Sequence, residues 1–472
     1  MNRDVLLAVD GLSVHVGTTA LLRDVGFSLC AGEALTLLGE SGAGKSLLAQ
    51  AVMGTLPSAL QAGGSVTIEG RHSAAAHADA RRPLWGRVIS MLPQEPALAL
   101  DPLMHIQPQV AEVHALVRGR TPRSAQASAA AALDTLGLAD AARRYPWQLS
   151  GGMAQRAASA VALAGGARIL LVDEPTKGLD PAWCAQLIDT LRATLQAGGC
   201  VVTITHDLAV AQALGGQVIV LRDGQVVEQG PTAAVLAAPR HAFTRRLVAA
   251  APGRWPTVAA APTGARVLQA RGLAKRYGTQ ALFEDLDLDL HAGERVVVQG
   301  PSGTGKSTLG NVLLGLVAPD AGTVTRAAGL APHALQKLYQ DPVGAFAPTL
   351  ALAQSLRDVA RLHGVAWPGV LQRLAALRVA EPLLARRPGE VSGGELQRIA
   401  LARILMVRPA VLFADEPTSR LDPVTQQEAM QVLLDAVAET GAALLLVTHD
   451  AGIAAAVATR RLQLADMRAV PA

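Results

Sequence analysis

GESGAGKS at residues 39–46 and GPSGTGKS at residues 300–307 decide the fold of this 472-residue chain. A short apolar run precedes each stretch, at residues 35–38 and 296–298, and a helix-compatible stretch follows each one. Both stretches match the pattern GxxxxGK[ST] in the strand, loop and helix context that this pattern requires. A chance glycine turn would not recur in register. The sequence therefore predicts an α/β fold with a phosphate-binding loop in each half.

The residue types of the two loops suit the binding of phosphate groups. Glycines let backbone N–H groups approach an anion, and the N-terminus of the following helix adds a positive dipole. We expect Lys45 and Lys306 to contact the β- and γ-phosphates of a nucleotide, and Ser46 and Ser307 to bind Mg²⁺. The predicted nucleotide-binding residues of the loops are Gly39, Glu40, Ser41, Gly42, Ala43, Gly44, Lys45, Ser46, Gly300, Pro301, Ser302, Gly303, Thr304, Gly305, Lys306, Ser307 and Thr308.

The chain repeats itself over roughly half its length, which is the mark of a domain duplication. Residues 272–307 repeat residues 11–46 without a gap, and later motifs recur in the same order. Between the copies, APGRWPTVAAAPT contains three prolines that oppose both a helix and a central strand. We predict one domain at residues 1–250, a Pro/Ala-rich linker at 251–265 and a second domain at 266–472. Strand and helix patterns alternate in both, which favours a largely parallel sheet.

Composition excludes several classes of protein. The chain is 50% hydrophobic and 17% charged, as globular proteins are, and its formal charge is only +4. Aromatic residues make up 3%, and no basic stripe stands out, so we expect no nucleic-acid partner. No uncharged apolar run approaches the ~20 residues of a spanning helix, so any membrane role would be peripheral. Cys30, Cys184 and Cys200 lie far apart and are interpreted as reduced thiols.

An apolar run that ends in an acidic pair occurs once in each half, as RILLVDEPT at residues 168–176 and AVLFADEPT at 410–418. Such a run is typical of a buried parallel strand with a site at its carboxyl end. We expect Asp173 and Asp415 to hold Mg²⁺ through water, and Glu174 and Glu416 to polarise the attacking water. An acidic helix cap at a strand–helix junction is the alternative interpretation.

LSGGMAQR at residues 149–156 and VSGGELQR at 391–398 resemble the signature of ATP-binding-cassette (ABC) ATPases. The resemblance covers nearly the whole chain apart from the linker. It implies that the Ser-Gly-Gly segment opens a helix that faces the γ-phosphate of ATP held by the opposite cassette. On this head-to-tail pairing, Ser150, Gly151 and Gly152 complete the site of Lys306. Ser392, Gly393 and Gly394 complete the site of Lys45.

The other residues that the resemblance singles out are present in both halves. Gln94 and Gln340 match the glutamine that senses Mg²⁺ and water, and His206 and His449 match the histidine that contacts the γ-phosphate. Asp180 and Asp422 match the loop that touches the opposite cassette. Tyr277 matches the aromatic residue that stacks on adenine, but its counterpart is Val16. Either the first site holds adenine less firmly, or another side chain covers it.

Within the family, the chain resembles the ATPases of peptide and nickel importers. RRYPWQLSGGMAQR at residues 143–156, PQEPALALDPLMHI at 93–106 and YQDPVGAFAPTLAL at 339–352 carry this likeness, together with residues 239–252. The family fold combines a mostly parallel core sheet, a small antiparallel β part and a helical subdomain in each cassette. The likeness implies ATP and Mg²⁺ as cofactors, and two integral-membrane permease subunits and a substrate-binding protein as partners. It implies a peripheral location on the cytoplasmic face of the bacterial inner membrane.

The transported substrate stays open among peptides, nickel and metal chelates, because the permease and the binding protein select it. The alternative is a soluble twin-cassette ATPase that acts on ribosomes or nucleic acid. Family members that act on ribosomes usually have two cassettes joined by a long, charged helical linker, and members that act on damaged DNA carry zinc-binding cysteines. Neither feature occurs in this sequence. Sugar importers also fuse two cassettes, but commonly with a degenerate second one, whereas both cassettes here keep their motifs.

Overall fold

The computed structural model describes residues 4–40, 42–176, 179, 181–257, 264–278, 280–301, 303–418 and 421–464. The chain forms two compact units, Met1–Val248 and Ala249–Ala472. The predicted linker overlaps the start of the second unit, and its residues 258–263 lie outside the described residues.

The first unit alternates strands and helices along most of its length. Its strands are β1 Val5–Val16, β2 Thr19–Cys30, β3 Ala34–Gly39, β4 Gln61–Ile68, β5 Arg71–Ala74, β6 Ile89–Leu92, β7 Ile169–Asp173, β8 Cys200–Ile204, β9 Gln217–Arg222 and β10 Gln225–Pro231. Its α-helices are α1 Lys45–Met53, α2 Pro96–Ala99, α3 Ile106–Leu116, α4 Pro122–Thr135, α5 Gly151–Ala164, α6 Pro181–Gln196, α7 Leu208–Leu214, α8 Thr232–Ala237 and α9 Ala242–Ala249.

Two sheets organise the described part of the first unit. β6, β7, β8, β3 and β9 run parallel in the order β9-β3-β8-β7-β6, and β10 adds an antiparallel edge beside β9. The second sheet is antiparallel, with the order β2-β1-β4-β5. β3, β7 and β8 are buried at every position, as expected of parallel strands covered on both faces.

Two apolar cores cover the faces of the parallel sheet in this unit. One lies between the two sheets and includes Leu7, Leu37 and Leu171. The other lies beneath the helices α3, α4 and α5 and includes Val110 and Leu133. The predicted antiparallel β part and helical subdomain are therefore both present.

The second unit follows the same plan. Its strands are β11 Arg266–Tyr277, β12 Gln280–His291, β13 Arg295–Gln299, β14 Ala321–Arg326, β15 Leu335–Leu338, β16 Val411–Asp415, β17 Ala443–Val447 and β18 Arg460–Gln463. Its α-helices are α10 Lys306–Leu314, α11 Leu352–Leu362, α12 Trp367–Ala376, α13 Gly393–Leu405, α14 Pro423–Thr440 and α15 Ala451–Val457.

Its parallel sheet has the order β15-β16-β17-β13-β18, and its antiparallel sheet has the order β12-β11-β14. The cores again lie on the two faces of the parallel sheet, one towards the antiparallel sheet and one towards the helices. These features confirm the predicted α/β fold with two cassettes. Among the described residues, no helix is both long and apolar enough to cross a membrane.

Candidate functional site

The two phosphate-binding loops connect a buried parallel strand to a helix, as predicted. In the first unit the loop runs from β3 into α1, and in the second from β13 into α10. Gly44 and Gly305 precede the helices in the left-handed region, with φ of 93° and 91°. A Cβ atom on Gly39 would lie 2.3 Å from the Leu221 carbonyl oxygen, so this position requires glycine. Ser41 and Ser302 fall outside the described residues.

The loop lysines take the same position in both units. Lys45 Nζ donates hydrogen bonds of 2.8 Å to the carbonyl oxygens of Gly39 and Glu40. Lys306 Nζ donates bonds of 2.8 Å to the carbonyl oxygens of Gly300 and Pro301. Both lysines are buried. A buried ammonium group needs oxygen partners. The carbonyl oxygens of each curved loop supply them, at the place where we expect the phosphate oxygens of a nucleotide.

The acidic pairs lie at the carboxyl ends of central strands. Asp173 ends β7 and Asp415 ends β16, and both are buried. The next residues, Glu174 and Glu416, have φ of 49° and 46°, which is rare for a residue other than glycine. Such backbone strain costs about 1 to 3 kcal/mol and tends to cluster at functional sites. The same strained turn at the same place in both units therefore favours a functional role over a helix cap.

Each of these glutamates contacts the predicted histidine of its own unit. His206 Nδ1 lies 2.8 Å from Glu174 Oε1, and His449 Nε2 lies 3.0 Å from Glu416 Oε1. Burial lowers the pKa of His206, but the charge and the hydrogen bond of Glu174, together with the charge of Asp207, outweigh this effect, and the pKa lies above its usual value. The structure thus brings the predicted base and the predicted histidine together in both units.

The predicted glutamines follow the edge strands of the parallel sheets. Gln94 lies two residues after β6, and Gln340 lies two residues after β15. Gln340 Nε2 donates a hydrogen bond of 3.0 Å to Glu416 Oε2. Both glutamine side chains are exposed. In the second unit the glutamine, the glutamate and the histidine therefore form one continuous polar cluster.

The signature segments open helices. Ser150 caps α5 by accepting a hydrogen bond from the Met153 N–H at 3.3 Å. Ser392 caps α13 in the same way through the Glu395 N–H, and Glu395 accepts a bond in return from the Ser392 N–H. Each cap satisfies one N–H group of the first turn, and the N-terminus of a helix has further N–H groups without an intrahelical acceptor, which suits an anion.

The two signature glycine pairs lie at these exposed helix starts. A Cβ atom added to Gly151 or to Gly393 would meet no atom within 4 Å. Gly394 differs, because its Cβ would lie 3.1 Å from the Leu421 side chain. Gly152 is half-buried. The open space in front of these two helix N-termini could accommodate a ligand.

The adenine-stacking position differs between the units. Tyr277 ends β11 and is 56% exposed, while Val16 ends β1 and is 42% exposed. The hairpin registers match, since Tyr277 pairs with Gln280 and Val16 pairs with Thr19. Val16 therefore occupies the position of Tyr277, and the two units present different surfaces to a base.

Sequence reasoning missed Lys337, which lies next to Asp415. Its Nζ is 3.9 Å from Asp415 Oδ2 and donates a hydrogen bond of 2.8 Å to Asn311 Oδ1. A signal was available, because lysine occurs at only five positions in a chain whose other cations are arginines. Two of those lysines lie in the phosphate-binding loops.

The residues around each acidic pair fit a magnesium ion. The donors that we assigned to it are hydroxyl, carboxylate and amide oxygens, the hard ligands that Mg²⁺ prefers: Ser46, Gln94, Asp173, Ser307, Gln340 and Asp415. In the second unit, the Ser307 hydroxyl donates a hydrogen bond to Asp415. Within the described ranges, no group of three or more His, Cys, Asp or Glu residues could enclose a metal. Mg²⁺ commonly has one or two carboxylate ligands and completes its shell with water and phosphate.

Comparison with known proteins gives a consistent family assignment. The model of the ABC transporter family matches residues 22–177 and 283–419. The chain is 32% identical to an uncharacterised ABC transporter ATP-binding protein, YejF, of Escherichia coli, over 94% of this chain and 91% of that protein. It is 32% identical to the peptidoglycan transport ATP-binding protein YejF of Agrobacterium fabrum, over 97% and 90%. It is 34% identical to the glutathione import ATP-binding protein GsiA of Salmonella typhi, over 96% and 83%.

Among solved structures, the chain resembles an RNase-L inhibitor with a TM-score of 0.68. The match covers 96% of this chain and 87% of the inhibitor, at 20% sequence identity. At that identity the likeness concerns the fold alone.

Proposed function

The chain belongs to the ABC transporter family and is an ABC-type ATPase, and from this premise we propose that it powers a membrane importer. The observation that supports this proposal most is the duplicated site, in which each unit joins a phosphate-binding lysine, a buried aspartate and a glutamate–histidine pair. Relatives that match over at least nine-tenths of this chain are named as import and transport ATP-binding proteins.

The proposed reaction is the hydrolysis of ATP to ADP and phosphate in both units. Lys45 and Lys306 bind the β- and γ-phosphates, and the glycine loops supply N–H donors. Glu174 and Glu416 orient a water molecule for attack on the γ-phosphorus, and His206 and His449 hold those carboxylates. Bound Mg²⁺ would supply charge neutralisation at the phosphates. Gln94 and Gln340 are exposed, and Gln340 donates a hydrogen bond to Glu416. These glutamines can therefore transmit a conformational change at the reacting phosphate to a partner at the protein surface.

We propose that the two cassettes form composite sites, as the family resemblance implies. Ser150, Gly151 and Gly152 would then serve the ATP of Lys306, and Ser392, Gly393 and Gly394 would serve that of Lys45. The open space beside Gly151 and Gly393 at the two helix starts supports this pairing. Each helix N-terminus would stabilise the charge of a γ-phosphate.

We propose peptides as the class of substrate, with nickel and metal chelates as the alternatives. The support comes from the relatives, one of which imports glutathione, a peptide, and another of which transports peptidoglycan. The chain would act on the cytoplasmic face of the bacterial inner membrane, with two permease subunits and a substrate-binding protein as partners.

The test is affinity purification of the full-length tagged chain from detergent-solubilised membranes of a cell that also expresses the membrane proteins encoded beside it. We expect two hydrophobic permease subunits to copurify, and a peptide-loaded binding protein to stimulate the ATPase rate in reconstituted vesicles. A chain with Lys45→Ala and Lys306→Ala is the control, because it should copurify and yet show no stimulation. Recovery with ribosomes or nucleic acid, and without a membrane protein, would favour the soluble twin-cassette alternative.

A further inference from the structure

Lys337 is a largely buried lysine held at one place by several partners. Its side chain is 12% exposed. Besides the hydrogen bond to Asn311 and the approach to Asp415, its Nζ lies 4.8 Å from the centre of the Tyr339 ring and 5.4 Å from that of Phe413. Ring faces attract cations. The ammonium group therefore lies beside the carboxylate that we assign to Mg²⁺, with little freedom to move away.

The first unit has no cation at the matching position. Lys337 pairs with Phe413, two residues before Asp415, and Met91 pairs with Leu171, two residues before Asp173. The strand register thus makes Met91 the counterpart of Lys337. A thioether carries no charge. At this strand position, therefore, a lysine lies close to the candidate metal-binding aspartate of the second unit, and a methionine takes its place in the first.

In the second unit, Lys337 and Asp415 form a largely buried pair of opposite charges in which each charge partly compensates for the burial of the other. Burial lowers the pKa of Lys337, and the Asp415 carboxylate opposes this effect. Burial likewise raises the pKa of Asp415, while hydrogen bonding from Ser307 and the charge of Lys337 act in the opposite direction. Each charge thus offsets part of the other's loss of water.

We propose that Lys337 is a positioning residue that competes with Mg²⁺ for Asp415, so that nucleotide binding depends less on Mg²⁺ in the second cassette than in the first. A fixed ammonium group repels a divalent cation that approaches the same carboxylate, and this repulsion is strong where water is excluded. The lysine also neutralises Asp415 when no metal is bound. The inference rests on the proposed Mg²⁺–ATP sites and is independent of the transported substrate.

The test uses the full-length chain and a fluorescent ATP analogue, with binding measured in excess EDTA and in excess Mg²⁺. The Lys45→Ala chain reports on the second site, and the Lys306→Ala chain reports on the first. The measured quantity is the factor by which Mg²⁺ strengthens nucleotide binding. We expect this factor to be roughly tenfold larger for the first site than for the second. No hydrolysis is needed for this measurement.

Two exchanged residues identify the cause. Lys337→Met, tested in the Lys45→Ala chain, should raise the Mg²⁺ factor of the second site towards that of the first. Met91→Lys, tested in the Lys306→Ala chain, should lower the factor of the first site. Asn311→Gln installs the residue that the first unit carries at Gln50 and keeps the Lys337 ammonium group. Lys337→Arg replaces the ammonium group with a guanidinium group but keeps the positive charge. Both controls should keep the low factor.

Three results would overturn the inference. Equal Mg²⁺ factors in the two reporter chains would do so without any change at residue 337. An unchanged factor after Lys337→Met, with the thermal unfolding of the variant intact, would exclude this lysine as the cause. If neither reporter chain bound the analogue while the unmodified chain also failed to bind it, the proposed ATP sites would fail, and this inference with them.

Discussion

The two cassettes keep the same reactive groups and differ in the residues around them. Lysine, aspartate, glutamate and histidine recur at matching ends of matching strands, and even the strained backbone of Glu174 recurs at Glu416. The surroundings differ at the base-stacking position, at the residue beside the aspartate and in the packing under the loop helix. Equal chemistry with unequal binding is therefore the expectation for the two sites.

The described part of the first unit continues beyond β9. In the first unit, β10 extends the parallel sheet and α8 and α9 follow it. The Glu228 carboxylate holds the segment between these helices by accepting hydrogen bonds from the Arg240 and His241 N–H groups at 2.8 and 2.9 Å. The described part of the second unit reaches β18, the counterpart of β9. In the sheet orders, β10 and β18 are not neighbours of β7 or β16, the strands that end in Asp173 and Asp415.

The largest effect that separates the sites should come from the loop lysines. Lys45→Ala and Lys306→Ala should each weaken nucleotide binding at their own site by about a hundredfold or more, because a charge-assisted contact to phosphate is lost. Equilibrium binding should give two nucleotides for the unmodified chain, one for each single variant and none for the double variant. Arg82→Ala, which removes an exposed cation, is the control. Loss of both nucleotides in a single variant would contradict two separable loops.

A smaller effect is expected at the adenine position. Val16→Tyr should strengthen nucleotide binding in the Lys306→Ala chain by roughly 5- to 150-fold, since stacking on a base contributes about 1 to 3 kcal/mol. Tyr277→Val should weaken binding in the Lys45→Ala chain by a similar factor. Tyr277→Phe is the matched control and should change little. No gain from Val16→Tyr would mean that another side chain already covers the adenine in the first site.

The smallest effect concerns packing beneath the loop helix. Gly310 lies against Phe413, and a Cβ atom there would be 2.2 Å from the ring; the matching residues of the first unit are Ala49 and Leu171. Gly310→Ala should therefore destabilise the second unit by about 1 to 3 kcal/mol in urea unfolding, since overpacking outweighs the gain in helix propensity.

The rescue variant tests the packing account directly. Adding Phe413→Leu to Gly310→Ala recreates the alanine and leucine that pack together in the first unit, Ala49 and Leu171. This double variant should recover most of the lost stability. Ala49→Gly in the first unit is the reciprocal control and should cost at most about 1 kcal/mol, the loss of helix propensity. A double variant as unstable as Gly310→Ala alone would contradict this account.

Much of the fold, and the place of the candidate site residues at the ends of its strands, could be predicted from the sequence, because the signals are local. The loops at Gly39 and Gly300 and the acidic pairs at Asp173 and Asp415 each follow an apolar strand within a few residues. The features that could not be predicted depend on how segments far apart in the sequence pair and pack with one another. The environment of Lys337 joins residues from a strand, a neighbouring strand and the loop helix, and the bond between Gln340 and Glu416 spans 76 positions.

The most direct test of two competent sites is the ATPase rate of Glu174→Gln and Glu416→Gln, singly and together. Glutamine keeps the shape of the side chain and removes the base, so nucleotide binding by each variant should persist as the internal control. We expect each single variant to lower the rate, and the double variant to lower it by roughly a hundredfold or more. A single variant that left the rate unchanged would show that its site is catalytically silent and would contradict the account.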